Sequence, residues 1–288
     1  MWVTVPNYTL ADGVTVKNKL GAQSRAELDR LAADPVRRRL LQFARGEGPE
    51  GGFDAAHLKA IHGHLFQDVY EWAGHTRDEK VTLSDGAVAS ESEMSSFGER
   101  EYLFGRLIPT ALAELAETLR RADYFRGLPR EDFALRLSNI VGDLISMHPF
   151  RKGNGLALGV FLSQLAKEAG QSFDFSVVSR ERSRQVSIAV HELDDAALLR
   201  GLVNEITDPA RIAAMHAGLA FFDTEGFDWH DYIIATPEPG ERAEAVMSGM
   251  TGEYFIARTS TNILIGKLAD LPKPLPERGE TFMLATPQ

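Results

Sequence analysis

Cysteine is absent from this 288-residue chain, and basic residues are fewer than acidic ones. The absence of cysteine excludes disulfides, thiolate nucleophiles and cysteine-ligated zinc. The 31 Lys and Arg residues against 41 Asp and Glu residues give a formal net charge of −10. A broad cationic surface for nucleic acid or anionic lipid is therefore not expected, so any phosphate chemistry must be confined to a pocket.

Long apolar runs are also missing. No stretch approaches the roughly 20 apolar residues that a membrane-spanning helix needs, and the N-terminus lacks a basic segment followed by an apolar run. Neither membrane insertion nor export by a signal peptide is predicted. The chain does have 44% hydrophobic residues and no long polar tract, enough to bury the core of one large domain and a small one.

Helical spacing of apolar residues dominates the first part of the chain. It predicts an amphipathic helix over 55–72, with apolar positions at Leu58, Ile61, Leu65 and Val69. It predicts another over 129–147, with a buried stripe at Phe133, Leu137, Ile140 and Leu144. The apolar segment that begins at Leu156 is predicted to be a helix buried on nearly all sides.

Two regions favour strands instead. The run around residues 81–83 is β-prone and is followed by the turn dipeptide Asp85-Gly86, which predicts a small hairpin within 77–92. Beyond about residue 215, short β-prone runs are separated by Pro, Gly and Glu turns. The predicted fold is therefore mainly α, with one small hairpin, followed by a small all-β module.

The stretch HPFRKGNG, residues 148–155, carries the clearest chemistry. Gly153, Asn154 and Gly155 lead directly into a helix, where backbone N–H groups and the positive end of the helix dipole can hold an anion. His148 precedes them, and an imidazole can accept a proton from an attacking hydroxyl. From spacing alone two readings stay open: an anion site with a general base, or a tight turn with a structural histidine.

HPFRKGNG resembles the motif HPFx(D/E)GNGRxxR of the Fic (Fido) family, and VYEWAG, residues 69–74, with Arg77 resembles a second hallmark of that family. The likeness spans most of residues 20–200. It implies a helical fold whose hairpin, the flap, holds a target segment as an added strand. It also implies transfer of AMP from ATP to a Ser, Thr or Tyr hydroxyl of a protein.

The opening NYTLADGVTVKNKLGA and the β-rich end resemble the Fic-plus-OB arrangement of the Bartonella effector proteins and of FicT toxins. The resemblance implies an N-terminal arm over 1–20 and a Fic domain over 21–210, with the flap at about 77–92 and the motif at 148–159. An OB-like module would follow over 211–288. The acidic balance argues against oligonucleotide binding there, so a packing or protein-contact role is expected.

The resemblance also assigns roles to single residues. His148 would be the general base, and Lys152, Gly153, Asn154 and Gly155 would bind the nucleotide phosphates. Phe150 would anchor the motif in the core. The target would dock on the flap at Val81, Thr82 and Leu83. No metal site is predicted elsewhere, because His57, His62 and His64 lack the i, i+4 spacing that places two ligands on one helix face.

Three positions depart from the family motif. Lys152 stands where an acid holds Mg²⁺, while Leu156 and Gly159 stand where arginines contact phosphate. The change from acid to lysine alters the charge by two units and removes an oxygen ligand, so ATP remains the expected cofactor but Mg²⁺ does not. Leu156 is interpreted as a core residue. The pattern of this chain, HPFRKGNGxxxG, resembles the HxFxKGNGxxG type of a subset of Bartonella effectors that are thought not to transfer AMP.

Two functional hypotheses follow. In the first, the degenerate site impairs AMP transfer, and the protein is a nucleotide- or protein-binding effector or scaffold. In the second, it is an active nucleotidyl- or phosphotransferase that serves as a toxin or type IV secreted effector. The sequence has no inhibitory (S/T)xxxE(G/N) motif. In this it resembles the class of Fic proteins whose inhibitor is a separate small antitoxin protein, and the resemblance implies such a partner. No segment resembling the secretion domain of the Bartonella effectors is expected in these residues.

Expected partners are a protein docked at the flap and, on delivery, a host signalling protein. The expected location is the bacterial cytoplasm, or a recipient cell reached by type IV secretion.

Overall fold

Helices make up most of the chain as far as residue 224. The computed structural model describes residues 8–96, 98 and 100–287. Within them the α-helices are α1 Arg25–Ala44, α2 Ala55–Phe66, α3 Ile108–Arg121, α4 Arg130–Met147, α5 Asn154–Ala169, α6 Arg180–Leu193, α7 Ala197–Ile206 and α8 Pro209–Thr224. Side-chain oxygens accept hydrogen bonds from first-turn N–H groups at four of these N-termini, Ser24, Asp54, Ser179 and Asp208.

The strands form two sheets. They are β1 Val81–Thr82, β2 Val88–Ala89, β3 Ile234–Ala235, β4 Arg242–Thr251, β5 Tyr254–Arg258, β6 Ile263–Lys267 and β7 Thr281–Ala285. β1 and β2 form an antiparallel hairpin, and the other five form a sheet of order β3-β6-β5-β4-β7. Only β3 and β6 are parallel among the described pairings of this sheet. The predicted fold class, mainly α with a small hairpin and a small C-terminal sheet, is confirmed.

The chain divides into two compact units. The first comprises Met1–Arg126 and Asp143–Ala169, and the second comprises Gly127–Gly142 and Gly170–Gln288. In the first unit α2 packs against α1 and α5. Its fully buried side chains include Ile61, Leu65, Trp72, Phe150 and Phe161. Phe150 belongs to residues 148–155, so that stretch shares in the core of this unit.

In the second unit α8 packs against the sheet. A Cβ at Gly218 would lie 2.2 Å from Cδ1 of Ile265, so only glycine allows this close approach. The apolar core of the sheet consists of Ala245, Met247, Phe255, Ala257, Leu264, Leu271, Phe282 and Leu284. The domain boundaries predicted from the sequence stay a prediction.

Three expectations from the sequence pattern are wrong. The helix predicted over 55–72 ends at Phe66, where the chain turns and Tyr70 stacks on Trp72 with ring centroids 4.3 Å apart. Helix α8 continues to Thr224, so strands begin later than residue 215. Leu156 is 39% exposed and is not a core residue, because it lies on the face of α5 opposite Ala157, Leu158 and Phe161.

No helix in the described part of the chain combines the length and apolar character needed to cross a bilayer.

Candidate functional site

Residues 148–155, here called the signature loop, connect α4 to α5 and are closed by Asn154. Its amide donates a hydrogen bond to the carbonyl oxygen of Phe150 at 2.7 Å, and its Oδ1 accepts one from the N–H of Phe150 at 3.0 Å. The Asn154 side chain is buried. It therefore shapes the loop, and what Asn154 can offer a phosphate is its backbone N–H in the first turn of α5.

His62 holds the loop from below. Its ring stacks on Phe150, with centroids 3.9 Å apart and planes inclined by 11°. Nδ1 accepts a hydrogen bond from the N–H of Gly74 at 2.9 Å, so the proton is on Nε2, which donates to the carbonyl oxygen of Lys152 at 3.0 Å. Burial lowers the pKa of His62 to about 4. The neutral imidazole thus bridges the signature loop and the segment 69–74.

Arg77 holds the other end of the loop. Its guanidinium is fully buried, and its Nε donates to the carbonyl oxygen of His148 at 2.9 Å. One terminal nitrogen donates to the carbonyls of Glu91 and Ser92 at 3.1 and 3.0 Å, and the backbone N–H donates to Pro149 at 2.8 Å. Burial lowers the pKa of Arg77. The second family hallmark therefore ties the loop to the segment that follows the hairpin.

The loop glycines meet different demands. Gly153 has φ +87°, and a Cβ there would lie 2.5 Å from the ring of Phe66, so no other residue fits. Gly155 is exposed, and a Cβ there would meet no described atom within 4 Å. A ligand can approach the backbone of the first turn of α5 from this side.

A cleft of about 420 Å³ lies beside the loop. The cleft is lined by residues 13–16, Arg25 and Leu28 of α1, Glu91, residues 93–96, Tyr102, His148, Arg151 and Lys152. The ring of His148 stacks on Tyr102, with centroids 4.1 Å apart and planes inclined by 19°. The cleft falls within the 300–1,000 Å³ typical of small-molecule sites.

Arg151 and Lys152, which line this cleft, each contact a carboxylate. Arg151 Nε lies 2.5 Å from Oε2 of Glu91, and burial raises the pKa of the Glu91 carboxyl while Arg151 and Arg77 oppose that effect. Lys152 Nζ lies 3.4 Å from Oδ1 of Asp29 on α1. The structure therefore brings His148 and Lys152 into one cleft.

The two positions at which the family motif has arginine, Leu156 and Gly159 in this chain, differ in their surroundings. Leu156 is exposed in the first turn of α5, whereas Gly159 is buried. An arginine at 156 would meet solvent, and one at 159 would have to enter a packed helix face.

In the part of the chain that the structure describes, the outer edge of β1 in the hairpin 77–92, here called the flap, has no strand paired to it. Val81 pairs with Ala89 and Thr82 with Val88, and the N–H of Leu83 donates to the carbonyl of Ala87 at 2.8 Å. Because hydrogen-bonded pairs alternate along an antiparallel ladder, the peptide groups of Thr82 point away from β2. The side chain of Thr82 is exposed, while that of Leu83 is buried. Thr82 therefore offers the edge, and Leu83 anchors the strand.

The tip of the flap is tethered at two points. The N–H and Oγ of Ser84 donate to the carboxylate of Glu71 at 2.7 and 2.9 Å. Lys17 Nζ lies 2.7 Å from Oδ2 of Asp85. Both contacts fix the height of the flap above the segment 69–74 and the N-terminal hairpin of residues 8–17.

The chain is similar in sequence and in fold to known proteins. The family model described as Fic/DOC family matches residues 52–166. A protein named protein adenylyltransferase from Bartonella henselae is 30% identical over 268 residues, which cover 92% of this chain and 49% of that protein. The structure of the Bartonella tribocorum effector BepC with bound AMPPNP is 33% identical, with a TM-score of 0.68, over 72% of this chain and 99% of that one.

The chain belongs to the Fic/DOC family.

The fold matches a further member along its length. The structure of the type IV secretion system effector protein BepA superposes with a TM-score of 0.92 at 28% identity, covering 98% of this chain and 96% of that one. The chain spans about half the length of the curated relatives it matches. The resemblance to Fic proteins and to Bartonella effectors that the motif predicted is confirmed.

Several residues of this Fic site have no signal in the sequence pattern. Tyr102, which stacks on His148, lies in an irregular segment, and Asp29 meets Lys152 from 123 positions earlier in the chain. His62 belongs to neither family motif, although it joins the loop to the segment 69–74 by two hydrogen bonds. Only Arg77 had a signal, through its position after VYEWAG.

Proposed function

We propose that this Fic protein binds a nucleotide through its signature loop without magnesium, engages a protein through its flap, and is impaired in AMP transfer. The observation that carries the proposal is Lys152, whose ammonium lines the cleft at the motif position of the metal-binding acid. Relatives named protein adenylyltransferase and the AMPPNP bound to BepC support ATP or a related nucleotide as the ligand.

Magnesium does not fit the donors at this position. Mg²⁺ requires oxygen ligands in near-octahedral geometry, and an ammonium provides none and repels the ion. Asp29, the carboxylate nearest to Lys152 among its described partners, already faces both Lys152 and Arg25. Lys152 can instead place one positive charge against a phosphate oxygen.

The remaining phosphate contacts come from the backbone. The first turn of α5 supplies N–H groups and the helix dipole, and Gly155 leaves the approach open. Leu156 and Gly159 supply no charge, so the terminal phosphate of ATP has fewer contacts than the family motif provides. We therefore expect the protein to bind a nucleotide but to orient ATP poorly for the transfer of AMP.

One observation favours the transferase as a second candidate, since His148 lies in the same cleft as Lys152. In that reaction His148 would take the proton from a hydroxyl of the target protein. The hydroxyl oxygen would form a bond to the α-phosphorus of ATP as the bond to pyrophosphate breaks. Without the metal charge, the departing pyrophosphate loses its main stabilisation, which is why we place this function second.

The target would dock by strand addition. The outward peptide groups of Thr82 are suited to pair with an extended segment, beside Val81 and above the buried Leu83. In the five-stranded sheet, β4, β5 and β6 follow one another, β7 returns to pair with β4, and β3 pairs in parallel with β6. The strand number and the non-sequential return of β7 support an OB-like module over 211–288 that contacts protein. The match to BepA, a type IV secretion system effector protein, supports delivery into another cell.

Calorimetric titration with ATP, ADP, AMP and UTP, each with Mg²⁺ and with EDTA, tests nucleotide binding. We expect ATP or ADP to bind equally in both buffers. Lys152→Gln should weaken binding about tenfold, the equivalent of one charge-assisted hydrogen bond. The matched control is Lys167→Gln, at an exposed lysine near the end of α5. Binding of ATP that requires Mg²⁺ would contradict the proposal.

Label transfer tests the impairment. The protein is incubated with ATP labelled at the α-phosphate and a host-cell lysate, in parallel with His148→Ala. We expect no labelled adduct with either protein. An adduct that forms with the parent and disappears in His148→Ala would establish the second candidate instead.

A further inference from the structure

One carboxylate is shared between two cations at the edge of the cleft. Asp29 lies one turn after Arg25, the first residue of α1. Its Oδ2 is 3.9 Å from Nε of Arg25, and its Oδ1 is 3.4 Å from Nζ of Lys152. Both Arg25 and Lys152 line the cleft. The three side chains therefore carry one net positive charge.

The two contacts of Asp29 are weak. Each is long, and the three side chains are 33% to 58% exposed, so water screens both pairs. Arg25 also stands at the positive end of the α1 dipole, where a cation is disfavoured and an anion is stabilised. A ligand with more negative charge than one carboxylate would gain from both cations and from the helix end.

The backbone beneath both cations is held in place. Ser24 caps α1 by accepting a hydrogen bond from the N–H of Glu27, whose carboxylate in turn accepts one from Gln23 at 2.8 Å. The carbonyl of Lys152 is bonded to His62. Each cation needs to reorient only its side chain to meet a ligand.

We infer that Arg25 and Lys152 form a two-cation phosphate subsite and that Asp29 is its internal counter-ion, which a phosphate group of a metal-free nucleotide displaces. Arg151, the other basic side chain that lines the cleft, is already paired with Glu91 and is therefore not included in the subsite. Glu93 also lines the cleft, but it is exposed, so water screens its charge. This inference rests on the proposed nucleotide binding and adds a residue, Arg25, that the family motif does not include.

Titration of the full chain with ADP and with inorganic pyrophosphate, in EDTA and at low salt, tests the inference. Asp29→Asn should raise affinity about three- to tenfold, because the competing charge is gone, and Arg25→Gln should lower it by a similar factor. The matched controls lie on α1, Asp34→Asn and Arg37→Gln, which remove the partners of an exposed ion pair. We expect no change in either control.

The outcomes separate this inference from the proposed function. If binding depends on Lys152 but Asp29→Asn and Arg25→Gln match their controls, the subsite is wrong and the proposed function stands. If the parent binds neither ligand, a gain of binding in Asp29→Asn supports the counter-ion role and explains why the parent shows no binding. If Asp29→Asn also binds neither ligand, both the subsite and the proposed function are overturned.

Discussion

The imidazole of His62 has to remain neutral to support the signature loop. Its Nδ1 is the acceptor for the N–H of Gly74, so a second proton would remove that acceptor. The same proton would place a charge in a fully buried position against Phe150. The loop that carries His148 and Lys152 therefore depends on a histidine that does no chemistry.

This dependence predicts a loss of stability in acid. The pKa of His62 in the folded protein is about 4, below the ordinary value of 6.5. Between these two pH values the imidazole is therefore protonated in the unfolded chain and neutral in the folded chain. The stabilisation is complete above pH 6.5 and decreases as the pH falls toward 4. Between pH 6.5 and 5 we expect a loss of about 2 kcal/mol in the free energy of unfolding, measured by urea denaturation.

The variant His62→Asn isolates this contribution. It should be less stable than the parent at pH 7, but its free energy of unfolding should decrease with a smaller slope as the pH falls toward 5. The slope should not vanish, since burial also lowers the pKa of His57. A variant that keeps the full slope of the parent would rule out His62 as its source.

The burial and the backbone conformation of single residues are predictable where the requirement is local. Phe150 and Gly153 belong to one short motif, and their burial and positive φ follow from a tight turn before a helix. The partner of Lys152 was not predictable, because Asp29 comes from a distant helix. Leu156 was misjudged since apolar character alone does not tell which side of a buried helix a residue occupies.

The flap is an element too small to be stable by itself. Its strands contain two residues each, so its position depends on the contacts of its tip. The carboxylate of Glu71 accepts both hydrogen bonds from Ser84, which connects the tip to the segment 69–74. A docked target strand would therefore meet an edge held at a fixed height.

Loosening this tether should increase the mobility of the flap. In Glu71→Gln the amide has one acceptor oxygen and no charge, so we expect amide hydrogen exchange at Leu83 and Ala87 to accelerate about fivefold. Hydrogen exchange followed by NMR measures the effect. Glu114→Gln, at an exposed glutamate of α3, is the control and should leave the flap unchanged. Equal exchange in both variants would mean that the tether does not hold the tip.

Element boundaries show what periodicity can and cannot predict. The stripe of α4 was correct, and all four of its residues, Phe133, Leu137, Ile140 and Leu144, are buried. The helix over 55–72 was drawn too long because Val69 is buried like a helical residue, although it lies in the turn after Phe66. Burial follows the apolar character of a residue, whereas the end of a helix depends on which backbone bonds form next.

At the scale of the whole molecule, the second unit contains a buried ion pair. Glu205 of α7 is fully buried and pairs with Arg182 of α6. Its other oxygen accepts hydrogen bonds from the N–H and Oγ1 of Thr236, both at 2.6 Å. Thr236 directly follows β3, the edge strand of the five-stranded sheet. These contacts therefore connect β3 to α6 and α7 of the same unit.

Removing the charge of Glu205 should destabilise the protein strongly. Glu205→Gln leaves the buried guanidinium of Arg182 without its counter-ion, so we expect a loss of about 3 kcal/mol or more in stability. Thermal denaturation followed by circular dichroism measures the change. The control is Glu181→Gln, which removes the carboxylate partner of the exposed Arg184 and should shift the melting temperature little. Similar shifts in both variants would refute the structural role of Glu205.

The supports of the signature loop have a consequence for its evolution. Within the described contacts, His62 and Arg77 bond to carbonyl oxygens of the loop, and Asn154 bonds to the main chain of Phe150. None of these bonds involves the side chain of residue 152 or 156. Mutations can therefore replace the charges that face the cleft without unfolding the loop, so the same backbone can serve a transferase or, as proposed for this chain, a protein that binds a nucleotide.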